Sequence, residues 1–180
     1  AVAEATEPED LARHDLDTLE AMFRRSYGRL GKRELASHNI YIIPSDAPGR
    51  PETIEVFSAD MPFIVDSVLA AIRAKGGTVR FMSHPILIFD PATFRVLEQP
   101  AAGTRPESFL HIHIDPLPDV DMRHAMRREI DEVMGEVARV VAGWRPMLER
   151  LHKVIQSWHD TPPRAALAAV AEAMHFLGWL

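Results

Sequence analysis

The sequence predicts an α+β domain, a small sheet with helices on one face. Three observations predict it. Residues 53–57 and 108–115 alternate between apolar and polar, a strongly periodic helix over residues 61–75 separates two strand-like runs, and an apolar seam recurs from Met126 to Trp158. The resulting order is strand, helix, strand, strand, helix, with one strand in front.

In chain order, residues 7–10 form an acidic lead-in, and Leu16, Leu19, Met22, Phe23 and Leu30 then give a helical period ending near Gly28 or Gly31. Arg24, Arg25, Arg29, Lys32 and Arg33 read as the solvated face of that helix rather than a phosphate-tracking stripe. A β-branched and aromatic run at residues 40–43 is closed by Pro44, and the polar segment 45–51 returns the chain into residues 53–57, which predicts a hairpin.

Asp60 stands where an N-cap belongs, with Pro62 suited to a first helical turn. Ile64, Val65, Val68, Leu69 and Ile72 fall on one buried helix face, and Gly76-Gly77 supplies a left-handed stop. A strand running into a helix start points free N–H groups and a positive dipole end at one place, which suits a carboxylate or phosphate. Asp66 is an acidic residue near that positive end.

Residues 78–90 form a long strand interrupted at His84-Pro85, because a residue before proline stays extended and proline cannot donate to a ladder. Residues 94–97 pair back briefly. In 108–115, Leu110, Ile112 and Ile114 point to the core, whereas Phe109, His111, His113 and Asp115 point to the other face, which the helices leave available. Asp119 or Asp121 caps a long helix whose seam runs through Met126, Ile130, Val133, Val137, Val140, Trp144, Leu148, Leu151, Ile155 and Trp158. Gly143 and Pro146 are expected to break or kink it, and Thr161-Pro162 to begin a last alanine-rich helix. A strand slotted antiparallel between two strands joined by a right-handed crossover helix is the ferredoxin-like split βαβ arrangement. The expected division is an N-terminal helical segment over 1–36, the α+β domain over 37–145 and a helical extension over 146–180.

With 180 residues, 47% hydrophobic and 26% charged, the chain can bury one good core. A net charge of −6 with nine neutral histidines argues against general nucleic-acid affinity. There is no cysteine, which removes thiolate catalysis and cysteine zinc sites and fits a cytoplasmic protein. No apolar run is long enough to span a bilayer, so no membrane partner is expected. The chain starts at Ala1 and ends on the apolar cluster Phe176-Leu177-Gly178-Trp179-Leu180, which reads as a piece of a larger protein.

His111, His113 and Asp115, with His84 on a neighbouring strand, have the residue types of a divalent-metal site. The plainer reading places them on a sheet face, solvated or against another domain, so they are candidate interface residues and no metal site is assigned. Asp60 and Asp66 are conceivable as paired carboxylates, but no nucleophile, glycine-rich phosphate loop or GxSxG elbow accompanies them, and no catalytic residue is assigned.

The words Asp60-Met61-Pro62-Phe63-Ile64-Val65-Asp66-Ser67-Val68, Ser83-His84-Pro85-Ile86 and Glu107-Ser108-Phe109-Leu110-His111-Ile112-His113-Ile114-Asp115, in this order and spacing, resemble the N-terminal region of the large bacterial NAD-dependent glutamate dehydrogenases. The resemblance runs along most of the chain. It implies an ACT-like βαββα sandwich with an extra N-terminal strand and flanking helices, preceding a distant catalytic domain that oxidises glutamate to 2-oxoglutarate with NAD. NAD would bind the full-length enzyme and no cofactor this piece, which lacks a dinucleotide fingerprint.

ACT domains commonly take an amino acid at the turn between first strand and first helix, often in a dimer interface, which marks Asp60, Met61, Pro62 and Phe63 as effector-binding candidates. Two departures from that pattern are visible. Phe63 stands where many ligand-binding ACT domains carry glycine, and the closing strand has no candidate except residues 40–43. The implied role is a regulatory domain in a homo-oligomer, with the remaining domains of the same polypeptide as partners. The rivals are a ligand-free inter-subunit or inter-domain assembly module and a free-standing metal-binding module.

Overall fold

The computed structural model describes residues 20, 24–26, 28–29, 37–90, 92–93, 95–161 and 164–178, the side chains of Arg145 and Leu167 excepted. Most of the first predicted helix lies outside them, although residues 20, 24–26 and 28–29 are helical. Backbone contacts divide the chain into two compact units, Ala1–Val137 and Ala138–Leu180.

The first unit is built on β1 (Asn39–Ile43), β2 (Glu52–Ala59), α1 (Ile64–Ala74), β3 (Val79–Ser83), β4 (Ile86–Asp90), β5 (Arg95–Leu97), β6 (Arg105–Ile114) and the start of α2 (Val120–Asp160). All strands join one antiparallel sheet, ordered β1-β2-β6-β4-β5, with β3 also on β6. β6 is ten residues long, enough for β3 to pair opposite its His111 to Ile114 half and β4 opposite its Arg105 to Ser108 half. The predicted interruption at His84-Pro85 is the step between those two strands. β6 therefore lies antiparallel between β2 and β3, with α1 as their crossover, and β1, the candidate at residues 40–43 for the closing strand, takes the outer edge of β2.

The alternation predicted for β6 is realised. Leu110, Ile112 and Ile114 join Ile40, Ile54 and Val56 in a sheet face packed against Ile64, Val68, Ala71 and Ile72 of α1 and Met126, Ile130 and Met134 of α2. Removing this apolar area from water is the main stabilising term of the unit.

α1 departs from expectation at its start. It begins at Ile64 rather than Met61, and Asp60 does not cap it: the N-cap position is Phe63, with φ 71° and ψ 0°, and no side chain caps the helix. Pro62 explains the difference. Proline suits the second position of a type II turn as well as a first helical turn, and φ 71°, ψ 0° are the values of that turn's third position, which places Asp60 too early to reach the helix N–H groups. The helix ends as predicted, with Gly76 at φ 77° and the Gly77 N–H donating to the Ile72 carbonyl at 2.9 Å.

At α2, Asp119 is the cap: its Oδ1 accepts the Met122 N–H at 2.7 Å. The helix then continues through Gly143 and Pro146 to Asp160, so the expected break does not occur. In the second unit, the last helix, α3 (Leu167–Leu177), starts later than Thr161-Pro162. Thr161 still belongs to the end of α2, donating its N–H to the Ser157 carbonyl, and the first turn of α3 forms on the Ala166 carbonyl instead.

The second sheet face, expected to be open, is largely closed. Phe57 and Phe109 stack with ring centroids 4.7 Å apart and pack with Leu87 and Phe89, while Glu55, Glu107 and His111 are fully buried.

Candidate functional site

Two places hold the residues singled out in the sequence. The first is the turn from β2 into α1. Asp60 is exposed and donates its backbone N–H to the Pro106 carbonyl at 3.2 Å, Met61 packs on the core edge, and Phe63 is 64% exposed. Ser67 donates to the Phe63 carbonyl, but the N–H groups of the first turn receive no side-chain cap. Beside the turn, His84 Nε2 and Ser108 Oγ are hydrogen-bonded at 2.7 Å. Burial pushes the His84 imidazole below its ordinary value, against the opposing pull of the Asp60 charge. Ser58 Oγ, two residues before Asp60, is buried without a hydrogen-bond partner among the described residues.

The second place lies on the opposite sheet face. Antiparallel register sets Glu55 directly across from His111 and Thr53 across from His113. Glu55 accepts hydrogen bonds from Ser26 Oγ at 2.5 Å and from Arg29 Nη1 at 2.7 Å. The His111 Nδ1 lies 3.3 Å from the same carboxylate, a looser electrostatic contact. Burial alone would raise the Glu55 pKa, but the groups from His111, Ser26 and Arg29 outweigh it, so the carboxyl sits below its ordinary value and is ionised. His111 Nε2 and His113 Nε2 are 3.1 Å apart, so one ring presents a hydrogen and the other a lone pair. Phe81 packs against His113 with centroids 5.0 Å apart. Above this floor is a cavity of about 340 Å³, lined by arginines 25, 29 and 50, by Asp46, Thr53 and Glu55, and by both histidines.

His111 and His113 are thus brought together, but the rest of the predicted cluster is not. Asp115 pairs instead with Arg80 through two hydrogen bonds of 2.7 Å, and His84 bonds Ser108 on the helix-facing side. His111 is interior, His113 half-buried and Asp115 partly exposed. Among the described residues no three His, Cys, Asp or Glu side chains are placed to hold a metal ion, and no helix is long and apolar enough to cross a membrane.

Glu55, Ser26 and Arg29 were not foreseen as a group. Arg29, assigned to a solvated face, is instead half-buried on Glu55, and its guanidinium also lies 5.5 Å from the Tyr41 ring centroid. The available signal was a glutamate in the middle of a strand, flanked by Ile54 and Val56 and sharing the face of Phe57. A carboxylate there needs a partner.

Comparison with known proteins places these features in context. Residues 1–130 match the family model described as glutamate dehydrogenase, ACT1 domain. The NAD-specific glutamate dehydrogenase of Pseudomonas aeruginosa is 25% identical over 133 residues, and that of Halomonas elongata 28% identical over 134 residues. Each alignment covers 71% of this chain, and the chain spans only 8% of the length of each relative.

Proposed function

The chain belongs to the glutamate dehydrogenase ACT1 domain family, and we propose that it acts as a non-catalytic regulatory domain of a longer NAD-specific glutamate dehydrogenase, sensing an amino acid at the β2–α1 turn. In that reading, glutamate oxidation to 2-oxoglutarate and NAD binding belong to other parts of a cytoplasmic, homo-oligomeric polypeptide. The turn carries the proposal: uncapped N–H groups at the start of α1 and the exposed Asp60 carboxylate together complement a zwitterion, the N–H groups taking its carboxylate and Asp60 its ammonium group. Met61, Pro62 and Phe63 would wall the ligand.

An amino-acid panel screened by thermal shift tests this. A ligand at 100 times its Kd stabilises by about 2.7 kcal/mol, and Asp60→Asn should abolish the shift without lowering the melting temperature of the free chain, because Asp60 caps no helix. No response to any amino acid would refute sensing at this turn.

The assembly reading has its own observation. Val140, Trp144, Met147 and Val154 form an exposed apolar row on α2 within the second unit. Val140→Glu with Trp144→Glu would dissociate an oligomer held there, as read by sedimentation.

A further inference from the structure

We propose that the cavity over Glu55, His111 and His113 is a binding site for a small anion carrying a carboxylate or phosphate group. The inference is independent of the regulatory reading, which concerns the β2–α1 turn on the opposite face of the sheet.

Charge is the first ground. The lining holds three arginines against two carboxylates, a local cationic excess in a chain whose net charge is −6. Of the carboxylates, Glu55 is spent inward on Ser26, Arg29 and His111. Asp46 is mostly exposed and only 4.0 Å from Arg50, a geometry that neutralises little. Arg25 is exposed and has no carboxylate partner among the described residues. Two guanidinium groups therefore border the cavity with their planar donor forks available, and such forks match carboxylate and phosphate oxygens.

Placement is the second ground. Arg25 and Arg29 are four residues apart in a helical stretch and so share a face, and Arg29 is fixed by Glu55 below. Arg50 enters from the β1–β2 hairpin on another side, after the tight turn in which its N–H donates to the Ala47 carbonyl at 3.3 Å. Thr53 and His113, directly opposed across β2 and β6, supply hydrogen-bonding groups on the floor. A volume of about 340 Å³ lies within the range of small-molecule sites. The fold thus uses one arginine to satisfy its buried glutamate and holds two more over the same floor, Arg25 with no carboxylate partner among the described residues and Arg50 in only a long, solvent-exposed contact with Asp46.

NMR titration of the isotope-labelled chain at low ionic strength tests the proposal, with inorganic phosphate in one arm, succinate in the other and sodium chloride as reference. The expected result is saturable shifts confined to the cavity lining, Arg25, Arg50, Thr53 and His113 among it, in at least one arm, and the arm that saturates more tightly identifies the anion class. Arg25→Gln with Arg50→Gln should weaken that binding at least about tenfold. Arg73→Gln with Arg95→Gln, which removes the same charge elsewhere, should change it by less than about twofold. The same spectra report whether each variant is folded, and the single Arg50→Gln variant, altered in an exposed loop, gives a second reading. Absence of saturable shifts in both arms, shifts spread over the whole surface, or unchanged affinity in Arg25→Gln/Arg50→Gln would overturn the proposal.

Discussion

Towards α1 and α2, β2 and β6 present Ile54, Val56, Leu110, Ile112 and Ile114, while on the other side the same two strands present Glu55, Phe57, Glu107, Phe109 and His111, and all ten are buried. The first set is held by non-directional burial, which tolerates changes of shape better than changes of polarity. The second depends on named partners. Glu55 has Ser26, Arg29 and His111, and Glu107 has Arg105 Nε at 2.8 Å. The helix-facing side has one such pair at its margin, where Glu52 at the start of β2 is gripped twice by Arg123 of α2. In each case the arginine keeps part of its side chain in solvent while the glutamate is inaccessible, so the cation remains hydrated and the buried anion is paired. One sheet thus carries a face that specifies the fold by pattern and a face that specifies chemistry by pairing.

The largest expected effect breaks the apolar side. Ile112→Ala should lower the unfolding free energy by about 2–5 kcal/mol, measured by urea denaturation. A loss below about 1 kcal/mol would mean that Ile112 is not in the packed core. On the other side, Glu55→Gln keeps the shape but removes the charge that Arg29 and His111 meet, and should cost about 1–3 kcal/mol. It should also change the response to acid. Because the folded Glu55 pKa is depressed, its stabilising contribution is fully present above the unfolded carboxylate pKa and is lost as pH falls through the folded one. Glu55→Gln should therefore flatten the acid limb of stability against pH, whereas Ile112→Ala should lower the whole curve without changing its shape.

The same contrast explains what could be read from the sequence. The hairpin, the crossover helix, the place of β6 and the split at His84-Pro85 follow from periodicity and proline, which act over a few residues. The Glu55 cluster does not, because Ser26 and Arg29 lie 29 and 26 residues away and an alternating glutamate looks identical whether its face meets water or an arginine. Asp60 was misplaced for a different reason. Asp-x-Pro is compatible with a cap or with a turn before the helix, and only the left-handed residue after Pro62 separates them.

That distinction gives a smaller, sharper test at the helix starts. Asp119→Ala should cost about 1 kcal/mol, since Asp119 accepts the Met122 N–H, while Asp60→Ala should stay within about 0.5 kcal/mol of the parent. Equal losses from the two substitutions, compared in parallel thermal melts, would return Asp60 to a capping role.

The smallest effect is expected at Phe63, and its sign matters more than its size. A left-handed backbone at a residue with a Cβ costs about 1–2 kcal/mol, and Phe63 sits at φ 71° with its side chain 64% exposed, so little packing offsets that cost. Glycine removes the strain but enlarges the unfolded ensemble, which returns about 0.4–1 kcal/mol. Phe63→Gly should therefore be neutral to slightly stabilising in the free chain, a rise of a few degrees at most in the melting temperature. A clear loss of stability would show that the ring contributes to packing at the edge of the apolar face. The expected outcome means instead that an exposed phenylalanine is kept in a conformation glycine would hold at lower cost, which is reasonable where its ring has work outside the domain. Under the regulatory reading that work would be to wall an effector, and under the assembly reading to meet another surface. Phe63→Gly and Phe63→Leu, compared for amino-acid response and for self-association, tell the two apart: leucine in place of the ring should retain association through apolar area but not the shaped wall an effector requires.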